Sequence, residues 1–331
     1  MVNKLETLLN QGVVNFTFKK ANGEIRTARG TRNFDVLINL PDSGFTEKDK
    51  PKGTGYENPN VIPYWDLDKQ AWRSVREDSI MSIETTRSDK KAVISLSGGL
   101  DSTMLLMRLL AQGYEVKAYS FNYGQKHTVE LEKVQNNILF LQEMGFILTH
   151  QIIDLRDCFS DSVSSLHENG GDIPKGDYNI DNQSSTVIEN RNIIFSSIIY
   201  GKALSWAKRT NSNVVIALGI HAGDHSVYPD TTKESFEAAA HCFKISNWDS
   251  DKVEYIAPFV ECTKAEVLAE GIAAMTEMNF YEDEMDYILT NTHSCYDPGE
   301  NGESCGKCGT CKERLEAFEE NSIVDPIKYM A

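Results

Sequence analysis

The 331-residue sequence predicts an α/β protein, a parallel sheet covered by helices on both faces, preceded by a small β-barrel. Three observations predict it. From residue 91 onward, short apolar runs alternate with stretches of helical spacing, as a parallel sheet buried on both faces requires. One run, Val93-Ile94-Ser95-Leu96, passes through a glycine turn directly into the helix-forming stretch Met104–Leu110. Ahead of residue 86, several short alternating runs are separated by turn signals, the pattern of a barrel.

The elements follow in order. Residues 3–10 have the spacing of one short helix, and Val14–Phe18 alternates apolar and polar as a half-buried strand does. Asn22-Gly23 marks a hairpin, because both residues tolerate positive φ, and Ile25–Ala28 is the return strand. Residues 41–60, rich in Pro, Gly, Asp and Lys, predict a long loop. Val61–Trp65 and Ala71–Val75 predict a second hairpin across residues 66–69. The polar run 82–90 predicts a linker, with the boundary at residues 86–90, an accessory barrel over 1–85 and the main domain over 91–331. In that domain the expected strands are Val93–Leu96, Val116–Phe121, Gln151–Leu155 and Val214–Leu218. The expected helices span His127–Met144 and Ile193–Ala207, and residues 160–185 predict a long loop of lid type.

The formal net charge of −16 is unevenly placed. Residues 1–85 carry twelve basic and twelve acidic side chains, so the remaining 21 basic and 37 acidic ones hold the whole excess. That balance opposes broad contact with a nucleic-acid backbone and favours a small substrate. No apolar run approaches the ~20 residues of a membrane span, and the N-terminal Met-Val-Asn-Lys-Leu-Glu-Thr lacks a signal-peptide core, so a cytoplasmic location is expected. Of seven cysteines, Cys158, Cys242 and Cys262 are scattered and four cluster near the C-terminus.

Chemistry concentrates where strands end. Ser97-Gly98-Gly99-Leu100-Asp101-Ser102-Thr103 joins a strand to a helix N-terminus, an anion site made from glycine backbone, first-turn N–H groups and the helix dipole. It lacks the Gly-x-x-x-x-Gly-Lys spacing of kinase-type loops; an ordinary capped Ser/Gly turn is the plainer alternative. Asn122-Tyr123-Gly124-Gln125-Lys126-His127 follows the second strand, and Glu130 lies on one helix face with His127. Such a pair serves equally as a solvated surface pair. Asn190-Arg191-Asn192 opens a helix, where a cation opposes the dipole unless a phosphate or carboxylate binds, or the arginine is simply solvated. Tyr228-Pro229-Asp230 lies in a Gly-rich loop after the fourth strand, where an aspartate can pair with a purine-like base or cap a turn. Cys295, Cys305, Cys308 and Cys311 have the spacing of a tetrahedral structural Zn²⁺ site; an iron–sulfur cluster is the rival, and disulfides are the weakest option.

Ser-Gly-Gly-Leu-Asp-Ser resembles the pyrophosphate loop of ATP pyrophosphatases. Together with Asn-Tyr-Gly-Gln-Lys-His, Asn-Arg-Asn, Tyr-Pro-Asp, Cys-Thr-Lys-Ala-Glu and the His-Ser-Cys-Tyr…Cys-Gly-Lys-Cys-Gly-Thr-Cys knuckle, it makes residues 91–331 resemble the 7-cyano-7-deazaguanine synthase (QueC) family. The resemblance implies a Rossmann-like ATP pyrophosphatase fold with a C-terminal zinc knuckle. It implies 7-carboxy-7-deazaguanine and ammonia as substrates, ATP and Mg²⁺ as requirements, one structural Zn²⁺, and a product used in queuosine-type or other 7-deazaguanine modification. On this reading the loop from Leu96 through Ser97, Gly98, Gly99, Leu100, Asp101, Ser102, Thr103, Met104 and Leu105 to Leu106 binds the nucleotide. Asp101, Lys126, His127, Arg191 and Lys264 are the catalytic candidates, and Tyr123, Gln125, Asn190, Asn192, Tyr228 and Asp230 the substrate candidates. A homodimer is compatible with it. Residues 1–85 resemble small Src-homology-3-like barrel proteins of bacteriophage genomes, through Phe-Thr-Phe-Lys-Lys, Thr-Ala-Arg-Gly-Thr and the Trp-Asp-Leu-Asp…Trp-Arg-Ser run. A docking role is expected of them, with nucleic-acid contact through Arg26, Arg29 and Arg32 as the sharper alternative.

One departure is visible: where the family typically continues Tyr-Pro-Asp with Cys-Arg-Pro, this chain has Thr231-Thr232-Lys233. An enzyme that stops at the amide, or acts on a related acid, is therefore an alternative, and modification of proteins is a more distant one. A tRNA thiolase would need paired pocket cysteines and a basic surface, and a non-catalytic binding module would not need the intact loop.

Overall fold

The computed structural model describes residues 4–11, 13–32, 37, 60–84, 90–174, 184–221, 228–299 and 302–330. The expected loop at 41–60 and linker at 86–90 lie outside the described residues except for Asn60 and Lys90, as do 175–183 of the expected lid-type loop. The chain divides into two units, Met1–Ser88 with Phe140–Ile147, and Asp89–Leu139 with Leu148–Ala331.

The first unit starts with α1 (Lys4–Gln11), followed by β1 (Val14–Lys19), β2 (Ile25–Thr31), β3 (Val61–Asp66), β4 (Ala71–Arg76) and β5 (Ile80–Glu84). They form one sheet in the order β4-β3-β2-β1-β5, with antiparallel neighbours. Alternation places Val14, Phe16 and Phe18 on one face, where Leu5, Leu8 and Leu9 of α1 cover them. Phe16 meets Tyr64 edge to face at 4.9 Å, and a side chain at Gly30 would come within 2.4 Å of the Tyr64 ring, so only glycine fits there. β5 corrects the sequence reading. Ser82–Glu84, expected as linker, pairs with β1: Ile83 lies opposite Phe16 and Ile80 opposite Phe18, and a bulge at Met81 lets both isoleucines, three residues apart, pack on the core. Arg26 pairs with the fully buried Asp66 and Arg32 with Glu6, so two of the three arginines considered for nucleic-acid contact are held within the unit.

The second unit contains β6 (Lys91–Ser95), α2 (Leu100–Ala111), β7 (Glu115–Asn122), α3 (Val129–Glu143, whose last four residues are counted with the first unit), β8 (Leu148–Asp154), α4 (Arg191–Thr210), β9 (Val214–Ala217), α5 (Lys233–Ser246), β10 (Val253–Ile256), α6 (Lys264–Glu277), α7 (Glu282–Thr290) and α8 (Gly309–Glu320). The parallel sheet runs β10-β9-β6-β7-β8. Ala92, Val93 and Ile94 of β6 are fully buried, as the central strand of a sheet covered on both faces must be. After β8 the chain crosses to the other side of β6, so the strand order reverses between β6 and β9. A crevice opens there beyond the carboxyl ends of the strands. The four-residue β10 has no counterpart in the sequence reading, since Val-Glu-Tyr-Ile is too short to separate from a loop by periodicity. No helix among the described residues is long and apolar enough to cross a membrane.

Candidate active site

The crevice holds a cavity of about 310 Å³. Its floor is the turn from β6 into α2. Gly98 takes φ +91°, and a side chain there would strike the Glu130 carbonyl at 2.6 Å. The turn is tied by its own hydroxyls: Ser97 and Ser102 Oγ are 3.1 Å apart, Ser97 Oγ accepts from Gly99 N–H at 3.2 Å, and Thr103 Oγ1 donates to Gly99 C=O at 2.9 Å. His293 N–H donates to Gly98 C=O at 2.8 Å, fixing the far side. A helix N-terminus so held presents donors and positive dipole to the cavity.

Asp101, in the first turn of α2, lies 3.4 Å from Lys264 Nζ and 3.6 Å from His221 Nε2. Burial opposes its charge, but the Lys264 ammonium and then His221 outweigh it and hold the carboxyl well below the usual carboxylate range. Lys264 is the first residue of α6, whose start is fixed by a reciprocal cap between Thr263 and Glu266. Its buried ammonium also lies 3.3 Å from Glu313 on α8; burial would discharge it, and the two carboxylates keep it charged. Asp101 Oδ1 is buried without a hydrogen-bond partner among the described residues. An orphaned anionic oxygen beside an anion-binding turn suits a cation shared with phosphate, and oxygen ligands suit Mg²⁺.

The opposite wall comes from β7, α3 and α4. Phe121 and Phe195 stack at 3.9 Å with their rings 11° apart, a flat apolar wall suited to a planar heterocycle. The Arg191 guanidinium lies over the Tyr123 ring at 5.5 Å and donates to its hydroxyl at 3.2 Å. His127 is buried, and burial, then His293 and Arg191, push its pKa down to about 3, so the ring is neutral. Its Nε2 lies 3.7 Å from Glu130 Oε2. Burial raises Glu130 to about 8 against the opposing effects of Gln125 and Arg191.

Four sulfurs cluster where Cys295 joins the cavity wall. The Sγ atoms of Cys295, Cys305, Cys308 and Cys311 lie within 4.8 Å of one another, all buried, with Cys305 and Cys311 3.9 Å apart. A Zn–S bond of about 2.3 Å gives tetrahedral edges of about 3.8 Å, so the set fits zinc. The knuckle turn uses Gly306 at φ +68°, and N–H groups of Lys307 and Cys308 donate to Cys305 Sγ at 3.4 and 3.3 Å.

Among the residues singled out from sequence, Leu96, Ser97, Gly99, Asp101 and Ser102 line the cavity, as do Tyr123, His127, Arg191, Asn192, Tyr228, Asp230 and Lys264. Others stand elsewhere. Leu100, Met104, Leu105 and Leu106 are fully buried in the core face of α2, and Gly98 and Thr103 brace the turn from behind. The Gln125 side chain accepts from Tyr123 N–H and donates to Phe121 C=O and Glu130 Oε1, which makes it a strut of the turn after β7. Lys126 is exposed and donates to the carbonyls of Gly170 and Gly171. Asn190, at φ +55°, forms the exposed turn before α4. Glu313 and His293 line the cavity without having been expected. Glu313 falls two residues after Cys311, so the knuckle spacing held the signal.

The family model described as queuosine biosynthesis protein QueC matches residues 91–322. A second model, WYL_2, with an Sm-like SH3 beta-barrel fold, matches residues 2–81. A 7-cyano-7-deazaguanine synthase from Marinomonas sp. (strain MWYL1) is 38% identical over 242 residues, covering 73% of this chain and 99% of that protein. One from Caldicellulosiruptor saccharolyticus is 37% identical over 239 residues, covering 72% and 95%. Relatives this similar, matched almost end to end, meet a crevice that holds the glycine turn, the Asp101–Lys264 pair and the cysteine corner together: the chain belongs to the QueC family.

Proposed function

We propose that the chain is an ATP-dependent 7-cyano-7-deazaguanine synthase, converting 7-carboxy-7-deazaguanine and ammonia to the nitrile. The observation that carries this is the Asp101–Lys264 pair set at the N-terminus of α2, in the same cavity as Arg191 and an aromatic wall. A carboxylate resists attack because its oxygen is a poor leaving group. Transfer of AMP to that oxygen, with loss of pyrophosphate, makes it a good one. Ammonia then displaces AMP and leaves the amide. A second adenylation, now of the amide oxygen, allows loss of AMP and the remaining N–H protons to give the nitrile.

The residues act by position and charge. The Ser97–Ser102 turn receives the departing pyrophosphate, and Lys264 offsets charge that develops on the phosphates. Asp101 would hold Mg²⁺ through its free oxygen, and that ion would neutralise phosphate charge. Arg191 orients the substrate carboxylate, and Asp230, on the cavity wall, accepts from the guanine-like edge. The four cysteines would hold Zn²⁺ in a closed, structural site, whose contribution is to fix Tyr296 and Thr310 on the cavity wall.

Thr231 supports a second reading. Of the three residues that depart from the family pattern it alone lines the cavity, whereas Thr232 caps α5 and Lys233 pairs with Glu261 at 2.9 Å. The departure therefore reaches the substrate through one side chain, which could arrest the sequence at the amide. Incubation with ATP, Mg²⁺, 7-carboxy-7-deazaguanine and ammonia tests both. Pyrophosphate and AMP released with formation of the nitrile mass is expected. Accumulation of the amide supports the second reading, and absence of pyrophosphate overturns both.

A further inference from the structure

A second cavity, of about 510 Å³, adjoins the first at His127 and is lined by Lys126, His127, Thr128, Val129, Glu132 and the turn at Pro298–Gly299 with Gly302; it is called the rear cavity below. Lys126, Thr128 and Glu132 are exposed, so this cavity reaches the surface on its own side. His127 lines both cavities and is itself 5% exposed. It is the one residue common to both linings.

His127 is held as a wall of this kind needs. Its ring sits 5.7 Å from that of Tyr296, its Nε2 faces Glu130 Oε2, and Glu130 is in turn held by Gln125 at 3.0 Å. Its Nδ1 is buried with no hydrogen-bond partner among the described residues. A buried nitrogen without a partner costs stability unless a ligand completes it.

The proposed reaction asks for such an entrance. Ammonia must reach the acyl carbon after the acid and the nucleotide have filled the main cavity. A route from the rear would let it arrive while the front is filled. The acidic excess beyond residue 85 also raises the local concentration of ammonium.

We propose that the rear cavity is the ammonia entrance of the synthase and that His127, between the two cavities, binds the entering ammonia through Nδ1. This rests on the synthase reading. In the step it serves, the nitrogen lone pair forms the C–N bond at the acyl carbon. The C–O bond to the phosphate breaks, and its electron pair leaves with AMP. One N–H proton leaves through the rear cavity to solvent.

The test plugs the entrance without touching the nucleotide site. Val129→Trp and, on the exposed side, Glu132→Trp are assayed as full chains with ammonium chloride at fixed pH. The expected result is a rise of about tenfold or more in the KM for ammonium, with unchanged KM for ATP and unchanged pyrophosphate release on first mixing with the acid. The Glu132→Trp variant, altered at the surface, keeps the test decisive if Val129→Trp fails to fold. An unchanged ammonium KM in a folded plugged variant overturns the entrance. If the parent releases no pyrophosphate at all, the synthase reading is what has failed.

Discussion

At the scale of single residues, the cavity sets two carboxyl groups in opposite states. Asp101 is held ionised by Lys264 and His221 despite its burial. Its contribution to stability is thus present above the ordinary carboxylate range and is lost only as pH falls through the lowered pKa. Asp101→Asn keeps the shape but removes the charge that faces Lys264 and would hold the proposed Mg²⁺. Pyrophosphate release should fall by about 100-fold or more, with an unchanged circular dichroism spectrum; full activity would remove Asp101 from the mechanism. Glu130 behaves in the reverse sense. In the unfolded chain it ionises near 4.3, whereas burial pushes it to about 8 in the fold. Between those values the unfolded chain binds fewer protons than the folded one, so this group erodes stability as pH rises, and the loss levels off above about 8. Glu130→Gln keeps an oxygen for the Gln125 amide and removes the ionisation. At pH 8 the variant should melt a few degrees above the parent, on the order of 2–4 °C for each kcal/mol relieved, and the gap should close near pH 4. A gap independent of pH would show that Glu130 is ionised in the fold.

At the scale of elements, what could be read in advance depended on whether the signal was local. β6, the glycine turn and α2 were legible because an apolar run, a forced positive φ and a helix start follow one another within twenty residues. The cysteine corner was legible from spacing alone. β5 and β10 were not, since their pairing partners, β1 and β9, lie far away in sequence and their own runs are too short, or in β5 too interrupted by a bulge, to show a period. Gln125 and Lys126 show the same limit at a motif. Both sit inside a recognisable sequence signature, yet one side chain points into the turn and the other into the loop at Gly170–Gly171, which only the tertiary fold decides. The cysteine corner gives a prediction of its own. Cys308 is both a sulfur of the cluster and the residue before α8, which carries the buried Arg314. Arg314 bonds Asp325 at 2.7 and 2.9 Å and Thr292 at 2.7 Å, so α8 joins the C-terminal segment to the end of α7. Cys308→Ser should lower bound zinc from one ion per chain toward none and lower the melting temperature, since metal binding and folding are linked. Unchanged zinc content and melting temperature would refute a structural metal there.

At the scale of the molecule, charge separates the readings that the fold alone leaves together. A pyrophosphate loop on a parallel sheet can serve small acids or large nucleic acids, and nothing in the strand order distinguishes them. The balance of side chains does. Residues beyond 85 carry 37 acidic against 21 basic groups, and the cations of the site are already engaged: Lys264 lies between Asp101 and Glu313, and Arg191 is bonded to Tyr123 and Asn192. In the first unit the counts are equal, and Arg26 and Arg32 are paired internally. A nucleic-acid backbone gains affinity by exchanging its counterions for lysine and arginine, and proteins built for that exchange bind even non-specific sequence at about 10⁻⁴ to 10⁻⁶ M. This chain should show no retention of tRNA or duplex DNA in a gel-shift assay at about 10 µM protein and physiological salt. Addition of tRNA should also leave the rate of pyrophosphate release with the small acid unchanged. A shift that weakens steeply as salt rises would reveal a basic groove and return tRNA to the list of substrates.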